Sequence, residues 1–404
     1  MEVKRVSLKI EKTLCIYLLF LWSFYETPYF TQFTLWNNIC DVFMFVGYGY
    51  MIMDLSKNGS FKIKKNIMLI LLFCFSLVIS TIWNSSQLKQ FLLVIRYILP
   101  VLAFCVYFNG ISEEKKNTFL KALCIIHAIL IVANFATVLI FPDGLYAGSK
   151  AAYETYYLLG HNNSAVRILL PGIAFNMIYD QRKYNKFTIR TYLLTIISMA
   201  TVTITWSNTA MIGIGIVMLF LLLPKKECMP AWMNAKNFFM ISVVLFVLIV
   251  IVRKLDFMQY IVVDLFKKDL TFSNRTVIWD AVILSFLKKP LLGYGYGKNI
   301  WEYAVLGRLE PSSAHNYFLD LLFRGGLIHF ALQMLIVWKT CINLTQKNKN
   351  QIAKALSFVF LGYFIMWQFE AFINTGYIDM IFLCMLACDN EYLYSNSQSV
   401  TERK

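Results

Sequence analysis

Five arginines of this sequence lie outside its short clusters of basic residues, and their chemistry suits an anion. They are Arg96, Arg167, Arg275, Arg308 and Arg324. A guanidinium group stays charged and binds phosphate oxygens through two parallel hydrogen bonds. Arg96 interrupts an apolar run, and a charge inside a bilayer costs about 2.5–3.5 kcal/mol unless it faces a cavity or a partner. These arginines therefore predict a phosphate or diphosphate site, unless Arg96 and Arg167 merely extend to the membrane interface.

Four polar residues at comparable positions could act on a hydroxyl group. They are His161, His315, Asn316 and Glu370. Histidine and glutamate commonly accept or donate a proton in catalysis. Each also has a structural alternative, since Asn316 at the start of an apolar run would cap a helix. Asp320 and Arg324 are four residues apart and are expected to pair on one helix face.

The chain that carries these residues is strongly apolar. Of its 404 residues, 58% are hydrophobic and 15% are charged, and the mean hydropathy is +0.58. Soluble chains hold about 45–50% apolar and about 25% charged residues. This composition excludes a soluble multidomain enzyme, a disordered chain and a disulfide scaffold. The nine cysteines show no zinc-ligand spacing with histidines and are interpreted as small buried apolar residues.

Twelve apolar runs are long enough to be membrane spans, since a helix needs about 20 residues to cross the hydrocarbon layer. Their approximate limits are 13–30, 35–54, 66–83, 90–108, 118–141, 164–179, 190–206, 209–223, 236–252, 316–340, 354–373 and 376–390. The predicted fold is therefore all-α, a polytopic integral membrane protein.

Basic residues set the predicted orientation. Alternate loops and both chain ends hold 22 Lys and Arg residues, whereas the opposite short loops hold two, Lys89 and Lys150. Positive residues remain on the cytoplasmic side, so both termini are predicted to be cytoplasmic in the cell membrane. The net charge of +15 is thus attributed to membrane topology and not to nucleic acid.

One connection is much longer than the others. Nine spans are predicted within 1–252 and three within 316–390, with a large external loop at 253–315 and a cytoplasmic tail at 391–404. The loop is rich in aromatic and aliphatic residues, which argues against disorder. Two short amphipathic helices are predicted in it, Leu255–Lys268 and Thr276–Lys289, followed by a glycine turn at Gly293–Gly297.

An external site has no access to ATP, so its substrate must bring its own activation. A sugar linked through diphosphate to a lipid meets this condition, because the lipid diphosphate is the leaving group. Arginines would bind the diphosphate, and a base would act on the acceptor hydroxyl. No Asp-x-Asp sequence lies in a soluble domain, which disfavours a nucleotide-sugar transferase with a bound metal. No cofactor is expected.

Four motifs occur in order near the long loop. They are Asn274-Arg275-Thr276-Val277-Ile278-Trp279, Pro290-Leu291-Leu292-Gly293-Tyr294-Gly295, His315-Asn316-Tyr317-Phe318-Leu319 and Gly325-Gly326. In this topology the sequence resembles the O-antigen polymerase/ligase family. The resemblance implies a GT-C-like fold and glycosyl transfer from an undecaprenyl-diphosphate-linked saccharide. It also implies that Arg275 holds the diphosphate and that His315 acts on the acceptor or the leaving group.

The sequence departs from the family pattern at one position. Family members often carry Ser-Arg at the outer start of a middle span, whereas this chain has Ser207-Asn208. Arg167 or Arg96 would then supply the missing diphosphate contact. The Gly160–Asn163 run, which includes His161, also resembles an Asn-rich segment of some members.

The favoured interpretation is a Wzy-type polysaccharide polymerase, which joins lipid-linked repeat units into capsule-like or O-antigen-like chains. Its expected partners are undecaprenyl-diphosphate-linked oligosaccharide and membrane lipid, with a flippase and a chain-length regulator. An O-antigen ligase, which moves the glycan to a different acceptor, is the nearest alternative. A lipid-linked oligosaccharide flippase is the alternative of another class, although two similar halves would be expected for it.

Overall fold

The computed structural model describes residues 12–58, 64–85, 87–147, 155–223, 229–253, 275–303, 311–371 and 376–394. Fourteen helices lie in this part of the chain: α1 (Lys12–Leu21), α2 (Thr34–Asn58), α3 (Lys65–Asn84), α4 (Leu88–Gly110), α5 (Glu113–Ile140), α6 (Val166–Tyr184), α7 (Ile189–Ile204), α8 (Asn208–Leu222), α9 (Ala235–Phe246), α10 (Arg275–Lys288), α11 (Tyr317–Gln346), α12 (Gln351–Met366), α13 (Gly376–Cys388) and α14 (Asn390–Tyr394). Helix α9 continues as a π-helix over Val247–Val252.

The protein is an all-α polytopic membrane protein, and this prediction is confirmed. The chain is 78% helical, and a helix lies at each of the twelve predicted spans. Among the described residues, six helices are long and apolar enough to cross a membrane, and several shorter apolar helices pack among them. Large apolar side chains such as Leu35, Phe45 and Leu222 are exposed on the bundle surface. Apolar surface of this extent is typical of contact with lipid.

Consecutive long helices reverse direction, so their connections gather at two ends of the bundle. We call one end the basic end; it includes the turns at 111–112, 185–188 and 347–350 and the segment 389–394. We call the other the cavity end; it includes the connections at 22–33, 141–147, 155–165, 205–207, 289–303, 311–316 and 367–371. The candidate site residues in the described part of the chain lie at or near the cavity end.

Ion pairs close the basic end. Asp389 accepts hydrogen bonds from Lys64 at 3.2 Å and Lys116 at 3.1 Å. Arg182 pairs with Glu113 at 2.9 Å, and its guanidinium group lies 3.7 Å from the ring centre of Tyr392. These contacts tie α3, α5, α6 and α14 together.

The first predicted span, 13–30, is wrong as a continuous helix. Helix α1 ends at Leu21, and a 3₁₀ turn over Trp22–Tyr25 follows. The backbone at Glu26 leaves the helical region, with φ −55° and ψ 120°. Pro28 disfavours helical geometry at the preceding Thr27. Glu26 and Thr27 therefore lie in an irregular connection and not on a helix.

A short three-stranded antiparallel sheet lies between α5 and α6, where no strand was predicted. Its strands are β1 (Tyr146–Ala147), β2 (Thr155–Tyr157) and β3 (Gly160–His161), with Tyr156 opposite both Tyr146 and His161. The backbone N–H of Leu159 donates to the buried Asn134 side chain of α5 at 2.9 Å. This bond holds the sheet and the Gly160–Asn163 run against the bundle.

The predicted amphipathic helix Thr276–Lys289 is confirmed as α10, whereas Leu255–Lys268 lies outside the described residues. Helix α10 buries Ile278, Trp279 and Val282 in a small second core that includes Phe323 of α11. The Trp279 indole donates to the carbonyl of Ala314 at 3.1 Å. Arg275 at the start of α10 is thereby fixed relative to the segment that carries His315.

Helix α11 is broken at Gly326, where φ is 63° and ψ is −164°. Glycine adopts this conformation without the strain that a Cβ atom causes. The break removes the helical partners of two carbonyl groups, those of Phe323 and Arg324. They accept hydrogen bonds instead from the backbone N–H groups of Tyr294 and Gly295, both at 2.8 Å.

The glycine turn after α10 is needed for close backbone approach. A Cβ atom at Gly293 would lie 2.5 Å from the carbonyl oxygen of Phe323, and one at Gly295 would lie 2.9 Å from the Thr81 Cα atom of α3. Both glycines also have positive φ angles. The turn, the break in α11 and the end of α3 thus form one packed unit.

Candidate functional site

A cavity of about 710 Å³ opens at the cavity end. This volume lies within the range of about 300–1,000 Å³ that small-molecule sites usually have. Its polar lining comes from the connection after α1, from α4, from the segment between β3 and the first turn of α6, from the glycine turn after α10 and from the 311–316 segment. The polar residues include Glu26, Arg96, His161, Ser164, Arg167, Tyr296 and Ser312.

Arg167 lies in the first turn of α6 and lines the cavity. Within the described residues its guanidinium group has neither a hydrogen bond nor an ion pair. Glu370 and Asp320 act on it only through space. A half-buried cation without a carboxylate partner is destabilising, so it is well placed to bind an anion.

Arg96 lines another part of the cavity. A charged residue in an apolar run was expected to face either a cavity or a partner, and Arg96 has both. Its guanidinium group pairs with Asp41 of α2 at 2.9 Å and lies 3.5 Å from Glu26. The side chain is 52% exposed. Its charge is therefore largely offset, in contrast to that of Arg167.

Arg275 belongs to a chain of polar contacts that crosses the cavity end. It donates to the carbonyl of Phe369 and, at 3.2 Å, to Glu370. Glu370 also accepts from Asn163 at 3.0 Å, and Asn163 in turn accepts from Ser207 at 2.6 Å. The sequence-predicted residues Arg275 and Glu370 are thus brought together with the Gly160–Asn163 run.

His315 lies just before α11 with a φ angle of 47°. A positive φ is uncommon for a residue other than glycine and often occurs at functional sites. Burial lowers the pKa of the imidazole below 6.5; Arg275 and Arg167 add to this shift, and Glu370 and Asp320 oppose it. The ring is therefore neutral at pH 7. It has no hydrogen-bond partner within the described residues.

Two other predicted site residues use their polar atoms within the protein. The predicted pair is confirmed, since Arg324 donates to Asp320 at 2.7 Å. Arg324 also donates to the carbonyls of Lys298 and Ser312, both at 3.2 Å. Asn316 caps α11 by accepting from the backbone of Leu319 at 3.1 Å, and donates to a further carbonyl at 2.9 Å. In this structure both side chains shape the 311–316 segment beside the cavity.

The remaining predicted residues differ in how far the structure describes them. His161 lies on β3 at the cavity wall, and its ring packs edge-on against Tyr156 with centres 5.6 Å apart. Arg308 lies outside the described residues. Asn208, at the position where the resemblance predicts an arginine, is 8% exposed, and neither amide atom has a partner within the described residues.

Sequence reasoning missed Glu26, Thr27 and Ser164 as lining residues. Glu26 had a usable signal, because it is a charged residue inside a run that was predicted to span the membrane. Tyr296 lies in the glycine turn after α10 and also lines the cavity. It stacks on Tyr97 of α4, with ring centres 4.4 Å apart, and this pair forms part of the cavity wall.

Fold and site together define a class: a polytopic α-helical membrane protein with a cation-lined cavity at one end of its bundle. Residues 193–334 match the family model for O-antigen ligase. The predicted family resemblance is therefore confirmed over a region that runs from α7 into α11 and includes Arg275, His315 and the glycine turn. A comparison with curated proteins found no match. The family match supports a membrane enzyme of O-antigen or polysaccharide assembly that acts on lipid-linked glycans.

Proposed function

We propose that the protein is a polysaccharide polymerase that joins undecaprenyl-diphosphate-linked repeat units at the external face of the cell membrane. One observation carries this proposal above the others. Arg167 is an unpaired cation on a cavity large enough for a sugar diphosphate, within the electrostatic reach of His315 in the family-matched region. An unpaired guanidinium group in such a cavity favours a phosphate ligand.

The orientation supports an external site. The basic end contains the Lys- and Arg-rich connections, which remain in the cytoplasm by the positive-inside rule. The cavity end then faces outward, where lipid-linked repeat units carry their own activation. A flippase would deliver these units, and a chain-length regulator would set the product size.

In the proposed reaction, a hydroxyl group of the incoming repeat unit attacks the anomeric carbon of the growing chain, and its proton passes to a base on the acceptor side. The bond from that carbon to the lipid diphosphate breaks, and its electron pair leaves with the diphosphate. Arg167 binds the diphosphate, and Arg275 joins it by exchanging its contact with Glu370. Neutral His315, which lies among these arginines, donates a hydrogen bond to the leaving oxygen. Guanidinium groups thus supply the charge, without a metal ion or another cofactor.

The test uses purified protein in detergent with undecaprenyl-diphosphate-linked repeat units as both donor and acceptor. Wild-type protein is expected to make a ladder of longer chains, which translocation by a flippase could not produce without a bilayer. Arg275→Ala and His315→Ala should leave insertion and folding intact but yield only the single-repeat lipid. Lys288→Ala, which removes an exposed cation from the other end of α10, is the matched control.

Two results would contradict the proposal. Full-length chains from both variants would remove Arg275 and His315 from the site. Transfer of a preformed glycan to a different acceptor, without any elongation of repeat units, would show a ligase instead of a polymerase.

A further inference from the structure

We propose that Glu26 is the base that receives the proton of the acceptor hydroxyl, and that Thr27 forms a hydrogen bond to the same acceptor. This inference rests on the proposed glycosyl transfer, which needs a base on the acceptor side. Both residues lie in the irregular connection after α1, and both line the cavity.

Unpartnered polar atoms mark this part of the wall. Oε1 of Glu26 and Oγ1 of Thr27 are buried, and neither has a hydrogen-bond partner within the described residues. Thr27 is only 6% exposed. A buried polar atom without a partner is destabilising, and nearly all such atoms in native proteins are satisfied. Two adjacent exceptions on a cavity wall indicate groups that a ligand satisfies.

A buried polar cluster fixes the position of the connection after α1. The Tyr25 hydroxyl donates to Oδ1 of Asp379 at 2.6 Å, and Oδ2 of Asp379 lies 3.1 Å from Nε2 of His127. The side chains of Asp379 and His127 are completely buried. Because Tyr25 is fixed to α5 and α13 in this way, the next residue, Glu26, is presented to the cavity from a defined position.

Glu26 is also electrostatically suited to accept a proton. Its nearest cation, Arg96, lies closer to Asp41, at 2.9 Å, than to Glu26, at 3.5 Å. Burial raises the pKa of Glu26 above its ordinary 4.5; Arg96 opposes this shift and Asp41 adds to it. The carboxylate is therefore more basic than one in water.

His315 is less suited to this step. Arg275 and Arg167 both disfavour its protonated form, and both are the cations assigned to the diphosphate. The acceptor hydroxyl attacks the anomeric carbon from a different side than the one from which the diphosphate departs. A carboxylate on the connection after α1 can accept the proton on the acceptor side. As the new bond between oxygen and carbon forms, the hydroxyl proton passes to Glu26 and the diphosphate leaves with its electron pair.

The experiment separates proton transfer from donor binding. Glu26→Gln keeps the size of the side chain, so undecaprenyl diphosphate should bind with unchanged affinity while kcat for elongation falls about 100-fold or more. Thr27→Val should raise KM for the acceptor with a smaller effect on kcat. Glu391→Gln, which makes the same change at the exposed basic end, is the control and should elongate normally.

A chemical rescue guards against a purely structural effect. Glu26→Ala should be inactive and should recover part of its kcat when formate, a small carboxylate, is added. A kcat near wild type in Glu26→Gln would overturn the inference while leaving the proposed function intact. Joint loss of undecaprenyl diphosphate binding and kcat, or inactive Glu26→Ala without rescue, would also overturn it. Wild-type protein without elongation would instead contradict the proposed function.

Discussion

The two ends of the bundle differ in how completely their cations are paired. At the basic end, Lys64, Lys116, Arg182 and Arg190 each lie within 3.2 Å of a carboxylate oxygen. At the cavity end, Arg167 has no such partner within the described residues. The basic end is built to hold helices together, whereas the cavity end keeps polar groups available at a cost in stability.

The difference extends beyond the arginines. Asp180 at the basic end is fully buried and accepts hydrogen bonds from Thr188, Thr191 and Arg190. At the cavity end, by contrast, Asn208 and one oxygen of Glu26 lack partners within the described residues. The unsatisfied oxygen of Glu26 lies on the cavity wall, where a ligand can reach and satisfy it, whereas the network around Asp180 already satisfies its members.

Arg167→Ala should produce the largest effect on activity. Removing the unpaired cation should lower elongation about 10³-fold, which corresponds to about 4 kcal/mol of transition-state stabilisation. Undecaprenyl diphosphate should also bind more weakly. The thermal unfolding temperature should stay the same or rise, because no ion pair is lost. Elongation and diphosphate binding are measured in detergent, and an unchanged rate would remove Arg167 from the diphosphate site.

Arg182→Ala should lower stability and leave the elongation rate unchanged, the reverse of Arg167→Ala. Its side chain is 3% exposed, but Glu113 is 42% exposed, so the expected loss is below the 3–5 kcal/mol of a fully buried pair, at roughly 2–3 kcal/mol. Folded protein should elongate normally. Thermal unfolding measures the change, and Lys183→Ala, which removes the neighbouring exposed cation, should shift the unfolding temperature little. Loss of elongation in folded Arg182→Ala protein would show that the basic end also contributes to activity, contrary to the proposed difference between the two ends.

The helices and part of the candidate site could be predicted from the sequence. Apolar runs of about 20 residues locate the spans because a membrane helix must bury its backbone polar groups within itself. Arg275 and His315 followed from motifs whose order and spacing are local properties. Arg96 and Arg167 were found because a charge in an apolar run has few tolerable positions.

Other features depend on contacts between distant segments. Glu26 was missed because the run 13–30 is apolar enough for a helix, and the break after α1 is stabilised by the bond between Tyr25 and Asp379. The three strands are only two or three residues long, too short for an alternating pattern. Whether a candidate is bound within the protein, as Arg324 is, also becomes visible only when its neighbours are known.

Acidification gives the finest test of the comparison, because the two ends should respond in different pH ranges. Burial raises the pKa of Asp389, but Lys116 and Lys64 outweigh it, so the net pKa lies below the ordinary 3.8. Its stabilising pairs are therefore present above the unfolded value and are lost only as pH falls through the lowered folded value. Burial instead leaves the pKa of Glu26 above 4.5, despite the opposing Arg96.

If Glu26 is the base, elongation should decline in milder acid than the stability of the fold does. Between the two ranges the protein should be folded and inactive, and it should regain full activity on return to pH 7. Rates and unfolding temperatures measured at the same pH values would reveal this window, and a parallel fall of both would show that one group controls both properties.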